Sequence, residues 1–283
     1  MRLAHSRTTP WIAPPAVRGG TIKFKTLLEG QEGRPDNYQL LLADTDPSFK
    51  SPRHRHNFDQ LRFSLTGCTN IGPQRNLEEG DLAYFPEGTY YGPQNQEEVG
   101  KDSLSLVIQF GGPSGNGYMS LRQLDQGLES LKADGRFESG VYKRNSPVPD
   151  GPKNQDAYEA VWENQNGRPV AYEKPRFMDA IHFRERNFGW QALADTPGVA
   201  IKRIGSFTEC DVGVQFLRLD AGARYTLPAW RQKQLVFVKN GTGSFGTGDE
   251  WFEHTAVDLP AGESVEMTAT TPSEAVILVL PRL

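Results

Sequence analysis

The sequence predicts an all-β protein of two barrel- or sandwich-type domains joined by a short helical linker. Three observations lead there. Twenty-nine glycines and twenty prolines punctuate short alternating apolar runs, the pattern of many strands and many turns. The chain also repeats itself: the frame of residues 48–67 returns at 222–241, with Gln60 matched by Gln234, Phe63 by Phe237 and Gly67 by Gly241. Finally, 283 residues suffice for two domains of ordinary size, each able to bury a core. We expect the domains at 1–118 and 196–283, with 119–195 as the partly helical linker.

Along the chain, residues 1–20 are rich in Pro and Gly and read as an arm that packs on a neighbouring domain or subunit. Strands are expected near 21–28, 37–43, 60–66, 81–86 and 103–110. In the last of these Leu104, Leu106, Ile108 and Phe110 share one face, a half-buried strand pattern. From 119 to 133 the period changes. Leu121, Leu124, Leu128 and Leu131 recur at helical spacing, Ser120 and Gln123 form a capping box, and Gly135 offers a stop. A second short helix carries Tyr158, Val161 and Trp162. Segment 136–155 reads as a loop and 163–190 as irregular structure joining the barrels. Strands resume near 199–207, 213–219, 234–239, 256–259 and 274–280.

Composition narrows the partners. The net charge is −4 with basic residues scattered, so nucleic acid is not expected. Cys68 and Cys210 lie apart and outside any CxxC pattern, which speaks against a disulfide framework. No apolar stretch has the length of a signal peptide or a membrane span, so a soluble cytoplasmic protein is expected.

The chemistry concentrates in two stretches, 52–67 and 80–95. His54 and His56, one residue apart, face the same side of an extended strand and can reach one metal ion. Gln60 follows as a third possible ligand, and Gly67 closes the run. In the second stretch Gly80, Pro86 and Gly88 mark a strand and turn that leave Tyr91 and Asn95 just beyond. If Gln60 faces the interior, so do Arg62 and Ser64, while Leu61, Phe63 and Leu65 face the other way. The matching inward positions of the repeat are Gln234, Val236 and Val238, giving one polar interior and one apolar interior. A buried arginine is costly without an anion or acceptors. Arg62 is therefore a candidate anchor for a carboxylate or enolate, the alternatives being a salt bridge to Asp59 or a bulge that turns it outward. Tyr91 is a ligand to an acidic metal ion, a general acid, or a ring packed across the barrel mouth. Pro228 and Trp230 stand where the repeat would have its two histidines and are expected to fill that space. Glu87 and Glu97 read as solvated loop charges, and His182 as a residue packed in the linker.

These stretches resemble the paired motifs of the cupin superfamily. The first motif is matched by His54, His56 and Gly67, with Ser48 in its opening glycine slot and Gln60 in its glutamate slot. The second is matched by Gly80, Pro86, Gly88 and Asn95, with Tyr91 in its histidine slot. In the repeat, His254, Pro260 and Gly262 take the Gly, Pro and Gly slots of that motif and Val265 its histidine slot. The resemblance implies two cupin-type double-stranded β-helix (jelly-roll) barrels, the second degenerate. It further implies a metal-dependent enzyme on a small organic acid or enolisable carbonyl, of dioxygenase type ahead of isomerase or lyase. His54, His56 and Gln60 would hold iron, or zinc, nickel or manganese, while Arg62 and Tyr91 orient substrate and supply a hydrogen bond or proton. The loss of two of the usual four ligands favours a different reading, a metal-free small-molecule-binding or sensor protein. The outward Leu61, Phe63 and Leu65 stripe and the arm are consistent with contacts between the barrels or within a homodimer.

Overall fold

The computed structural model describes residues 1–13, 18–116, 118–147 and 152–282. Residues 14–17 of the expected arm and 148–151 of the expected loop lie outside them. The chain is mostly strand with two α-helices among the described residues, and it separates into two compact units. One comprises 11–25 and 29–182; the other comprises 1–10, 26–28 and 183–283.

In the first unit, the strands Asp81–Phe85, Asp59–Gly72, Ser103–Phe110 and Tyr38–Thr45 lie side by side and antiparallel, in that spatial order. Strict alternation sets which side chains meet inside. Gln39, Gln109 and Gln60 are in register across three strands, and Leu41, Val107 and Arg62 form the next level. Leu61, Phe63 and Leu65 fall on the opposite face and are buried, as the alternation requires. A second, shorter pairing joins Lys50–Ser51 to Gln94–Asn95. It continues as an isolated antiparallel bridge between His54 and Tyr91.

Helix α1 (Leu121–Leu131) starts at a complete Ser120/Gln123 capping box. Its end does not use Gly135, which instead opens a strand (Gly135–Glu138). Helix α2 (Ala157–Asn166) is capped by Asp156 and ended by Gly167 in the left-handed conformation. The two helices share a small apolar cluster around Leu128, Leu131, Val161 and Trp162. Segment 136–155 is not simply loop, since Gly135–Glu138, Val141–Arg144 and Asn154–Asp156 make a three-stranded meander. A four-residue strand, Ile181–Arg184, also interrupts the stretch expected to be irregular.

The second unit repeats the plan. Thr255–Leu259, Gln234–Asn240, Ser273–Val279, Gly213–Leu219 and Val199–Ser206 pair antiparallel in that order. At the outer edge of Thr255–Leu259 lies Arg2–His5, so the start of the expected arm is a strand of the second unit's sheet. The repeat holds in fine detail. The register shifts between Ser64 and Thr66 in one unit and between Val238 and Asn240 in the other. Gly67 and Gly241 then adopt φ of 75° and 90°, and a Cβ at either would sit about 2 Å from a neighbouring oxygen. His254, in a glycine slot, takes the positive φ of 62° that this slot demands.

The interior of the second barrel is dry. Val236, Val238, Leu259, Val265 and Trp251 fill it, and the small residual void has no room for a water. Pro228 and Trp230 do not do this filling: Trp230 is 41% exposed and Pro228 lies at the surface. The apolar residues on the strands already close the barrel, which leaves the loop residues outside.

Candidate functional site

The first barrel encloses a cavity of about 400 Å³ whose wall includes His54, His56, Gln60, Arg62 and Tyr91. Ser64, expected beside them, is fully buried and is not part of the wall. The bridge between His54 and Tyr91 explains the central contact. Each donates its backbone N–H to the other's carbonyl, at 3.1 and 2.9 Å, which sets the two side chains next to each other. His54 Nδ1–H donates to the Pro52 carbonyl at 2.7 Å, leaving Nε2 as the acceptor. The Tyr91 hydroxyl donates to that nitrogen at 2.9 Å and lies 3.4 Å from His56 Nε2. His56 stacks on Phe58 with ring centres 4.2 Å apart, and Tyr158 meets both rings edge-on.

Arg62 donates to Gln60 Oε1 at 3.0 Å, and its guanidinium also faces the Tyr91 phenol. No carboxylate pairs with Arg62, and its buried Nε has no hydrogen-bond partner among the described residues. The alternative partner, Asp59, points away on the opposite face of the strand. There it accepts hydrogen bonds from Tyr84 and the Glu87 amide and pairs with Arg176. A second guanidinium, Arg18, also lines the cavity and is balanced by Asp156 at 3.8 Å. Among the described residues, no aspartate or glutamate forms part of the wall.

Burial governs ionisation here. His54 is pushed down to about 3, first by burial and then by the positive charges of Arg18 and Arg62. His56 is pushed well below its usual value for the same reasons, with His54 adding to the effect. Both imidazoles are neutral at physiological pH. Burial raises the Tyr91 phenol although Arg62 and Arg18 oppose it, so this residue holds its proton.

As metal donors, the two neutral imidazoles converge on one point and fit. The remainder of the expected set does not. Gln60 Oε1 is taken by Arg62, the convergence point is filled by the Tyr91 hydroxyl, and the charged side chains of the wall itself are the cationic Arg18 and Arg62. No group of three or more His, Cys, Asp or Glu side chains is arranged around a common point among the described residues. This donor set therefore does not fit a resident divalent cation.

Two other expectations need correction or placement. Glu87 is not a solvated loop charge: it is 1% exposed, with Oε2 accepting from the Ser114 amide at 3.0 Å. Gly112 is the reason it fits, because a Cβ there would sit 2.4 Å from that carboxylate. His182 bonds Asp81 at 2.8 Å and does not enter the cavity. Glu97 is exposed and pairs with Lys50, as a loop charge should.

Several wall residues lie outside the sequence motifs, notably Arg18, Gln39, Ser103, Ser105 and Gln109. The signal for three of them was present. On Ser103–Phe110 the leucines and aromatics mark one face, and the alternate positions Ser103, Ser105 and Gln109 are polar because they face the cavity.

No family model and no curated protein sequence matches this chain. Solved structures do. A candidate dioxygenase from Nostoc punctiforme is similar over 100% of this chain and 83% of its own, with a TM-score of 0.65 and 14% identity. A mutant of oxalate decarboxylase from Bacillus subtilis covers 99% of this chain and 77% of its own, at TM-score 0.59 and 12% identity. Another structure of that decarboxylase is described by its Mn(II) centres. A candidate glyoxylate-induced protein from Pseudomonas aeruginosa is similar over 95% of this chain and 82% of its own, at TM-score 0.57 and 12% identity. Identities this low speak for architecture alone. The fold of this chain is the cupin jelly roll, present twice in one polypeptide.

Proposed function

We propose that the first barrel binds a small organic carboxylate and protonates it or polarises its carbonyl. One observation carries this reading: Arg62 lies in the wall of the cavity with, among the described residues, no carboxylate partner and with Nε unsatisfied. A buried guanidinium costs several kcal/mol unless an anion reaches it. A substrate carboxylate would supply that anion.

Tyr91 is placed to act on what Arg62 holds. Its hydroxyl carries the proton, and Arg62 beside it would stabilise the phenolate left after donation. His54, with a pKa of about 3, is too weak a base to take the proton at neutral pH. Its part is to orient the phenol through Nε2. This supports hydrogen-bond or proton donation by Tyr91 to the carbonyl of a bound acid.

The other reading is a metal-dependent enzyme of dioxygenase type, with iron or another transition ion on His54, His56 and Gln60. The convergence of the two imidazole Nε2 atoms on one point favours it. It requires Arg62 to release Gln60 and Tyr91 to vacate the point between the rings.

Calorimetry with a panel of carboxylates and their methyl esters tests the first reading. Acids should bind and esters should not, and Arg62→Met should weaken the acids about a hundredfold. Tyr91→Phe should keep binding and lose turnover. Binding without turnover in the native chain would leave a binding or sensor protein. Equal affinity in Arg62→Met would overturn the carboxylate anchor. A stoichiometric transition metal, lost in the His54→Ala His56→Ala double variant, would favour the metal-dependent reading.

A further inference from the structure

Beside Arg62 the cavity wall carries a second unsatisfied group. Gln109 Oε1 is buried and has no hydrogen-bond partner among the described residues. Its position is fixed by register. Gln109 pairs with Gln60 on one side and Gln39 on the other, and Arg62 pairs with Val107, two residues along the same strand. Arg62 and Gln109 are thus diagonal neighbours on one face of adjacent antiparallel strands, and both line the cavity. Such neighbours have side chains that one small molecule can bridge. Arg62 and Gln109 offer open groups of opposite kinds. Arg62 Nε is a cationic donor, which asks for a carboxylate oxygen, and Gln109 Oε1 is a neutral acceptor, which asks for an O–H or N–H.

We propose that the ligand of the first barrel is a hydroxy acid with a hydrocarbon substituent, and that Gln109 is the residue selecting for its hydroxyl. This rests on the carboxylate reading above and deepens it. The carboxylate meets Arg62, the hydroxyl donates to Gln109 Oε1, and the hydrocarbon meets Leu41, Val107, Met119, Leu121 and Leu124 of the same wall. An ammonium in place of the hydroxyl is disfavoured by the two guanidiniums and the absence of a carboxylate in the wall. A site with a buried acceptor rejects an analogue that lacks the matching donor, since that acceptor then stays unpaired and dry.

The test is calorimetric, with 3-phenyllactate, 3-phenylpropionate and the methyl ester of phenyllactate as probes. The native chain should bind phenyllactate about tenfold tighter than phenylpropionate, the worth of one neutral hydrogen bond. Gln109→Leu should erase that difference without weakening phenylpropionate. Equal affinity of the two acids in the native chain, which needs no variant to fold, would overturn the role of Gln109 and leave the carboxylate anchor standing. A preference that survives Gln109→Leu would do the same. Binding of the ester as tightly as the acid, or of neither acid, would overturn both readings.

Discussion

Individual side chains in the first barrel show how burial decides chemistry. His54 and His56 are held neutral by burial and by two nearby guanidiniums, so each resists protonation far below its usual pKa. This gives a pH effect of definite sign. An unfolded chain protonates a histidine below about pH 6.5. The folded chain does not protonate His54 until about pH 3. Between those values the unfolded state binds more protons, so stability is full above the unfolded pKa and falls as the pH drops. The slope is about 1.4 kcal/mol per pH unit per histidine. His56→Phe keeps the stacking on Phe58 and removes one of the two groups. Urea unfolding at pH 7 and pH 5 should show the variant losing less stability on acidification than the parent, by about one proton's worth of slope. An unchanged slope would mean His56 is protonated or solvated in the native state.

At the level of the strand, alternation carries most of the information. The fourteen residues of Asp59–Gly72 send Gln60 and Arg62 into the cavity and Leu61, Phe63 and Leu65 to the buried opposite face. A period of two in the sequence is enough to read that, and the same rule applied to 103–110 identifies the polar side as cavity wall. The capping box at Ser120 is equally local and was equally readable. What was not readable has no period of its own. Arg2–His5, Lys50–Ser51, Gln94–Asn95 and the strands of the 135–156 meander are two to four residues long and are defined by their partners. Arg18 reaches the wall from a stretch with no periodic signal.

The end of the long strand is fixed by Gly67, with φ of 75° and the Asp102 carbonyl 2.2 Å from where a Cβ would be. Gly33 shares the conformation at φ 79° but has nothing within 4 Å. Gly33→Ala should cost about 1–2 kcal/mol, the left-handed penalty alone. Gly67→Ala should cost at least about 3 kcal/mol, because strain and a backbone clash add. Chemical denaturation of the pair separates the terms, and equal costs would place the backbone near Gly67 elsewhere.

Across the whole chain the two barrels share a frame and differ in what fills it. Arg62 is matched by Val236 and Gly67 by Gly241, so one interior stays polar and open while the other closes on valines, Leu259 and Trp251. The cavity of the first barrel therefore carries charge that the apolar interior of the second lacks, and the pH response of the first unit is a sum of opposing parts. Asp59 is held at about 6 by burial, which outweighs the Glu87 amide, Arg176 and Tyr84 that favour its charged form. Burial raises neighbouring Glu87 as well. Their sign is the reverse of the histidines'. Between about pH 4, where an unfolded aspartate releases its proton, and about 6, the folded chain holds the proton longer. Stability from Asp59 is thus present below the unfolded pKa and lost as the pH rises through the folded one. In the parent this slope runs against that of His54 and His56 over the same window and flattens the profile. Asp59→Asn removes one of the opposing terms. Its stability should therefore rise more steeply with pH between 4 and 6 than the parent's, by up to about 1.4 kcal/mol per pH unit, or about 3 kcal/mol in all. Urea unfolding of both proteins at pH 4, 5 and 6 measures the difference. Parallel profiles would show Asp59 ionised in the native state, with Arg176 outweighing burial.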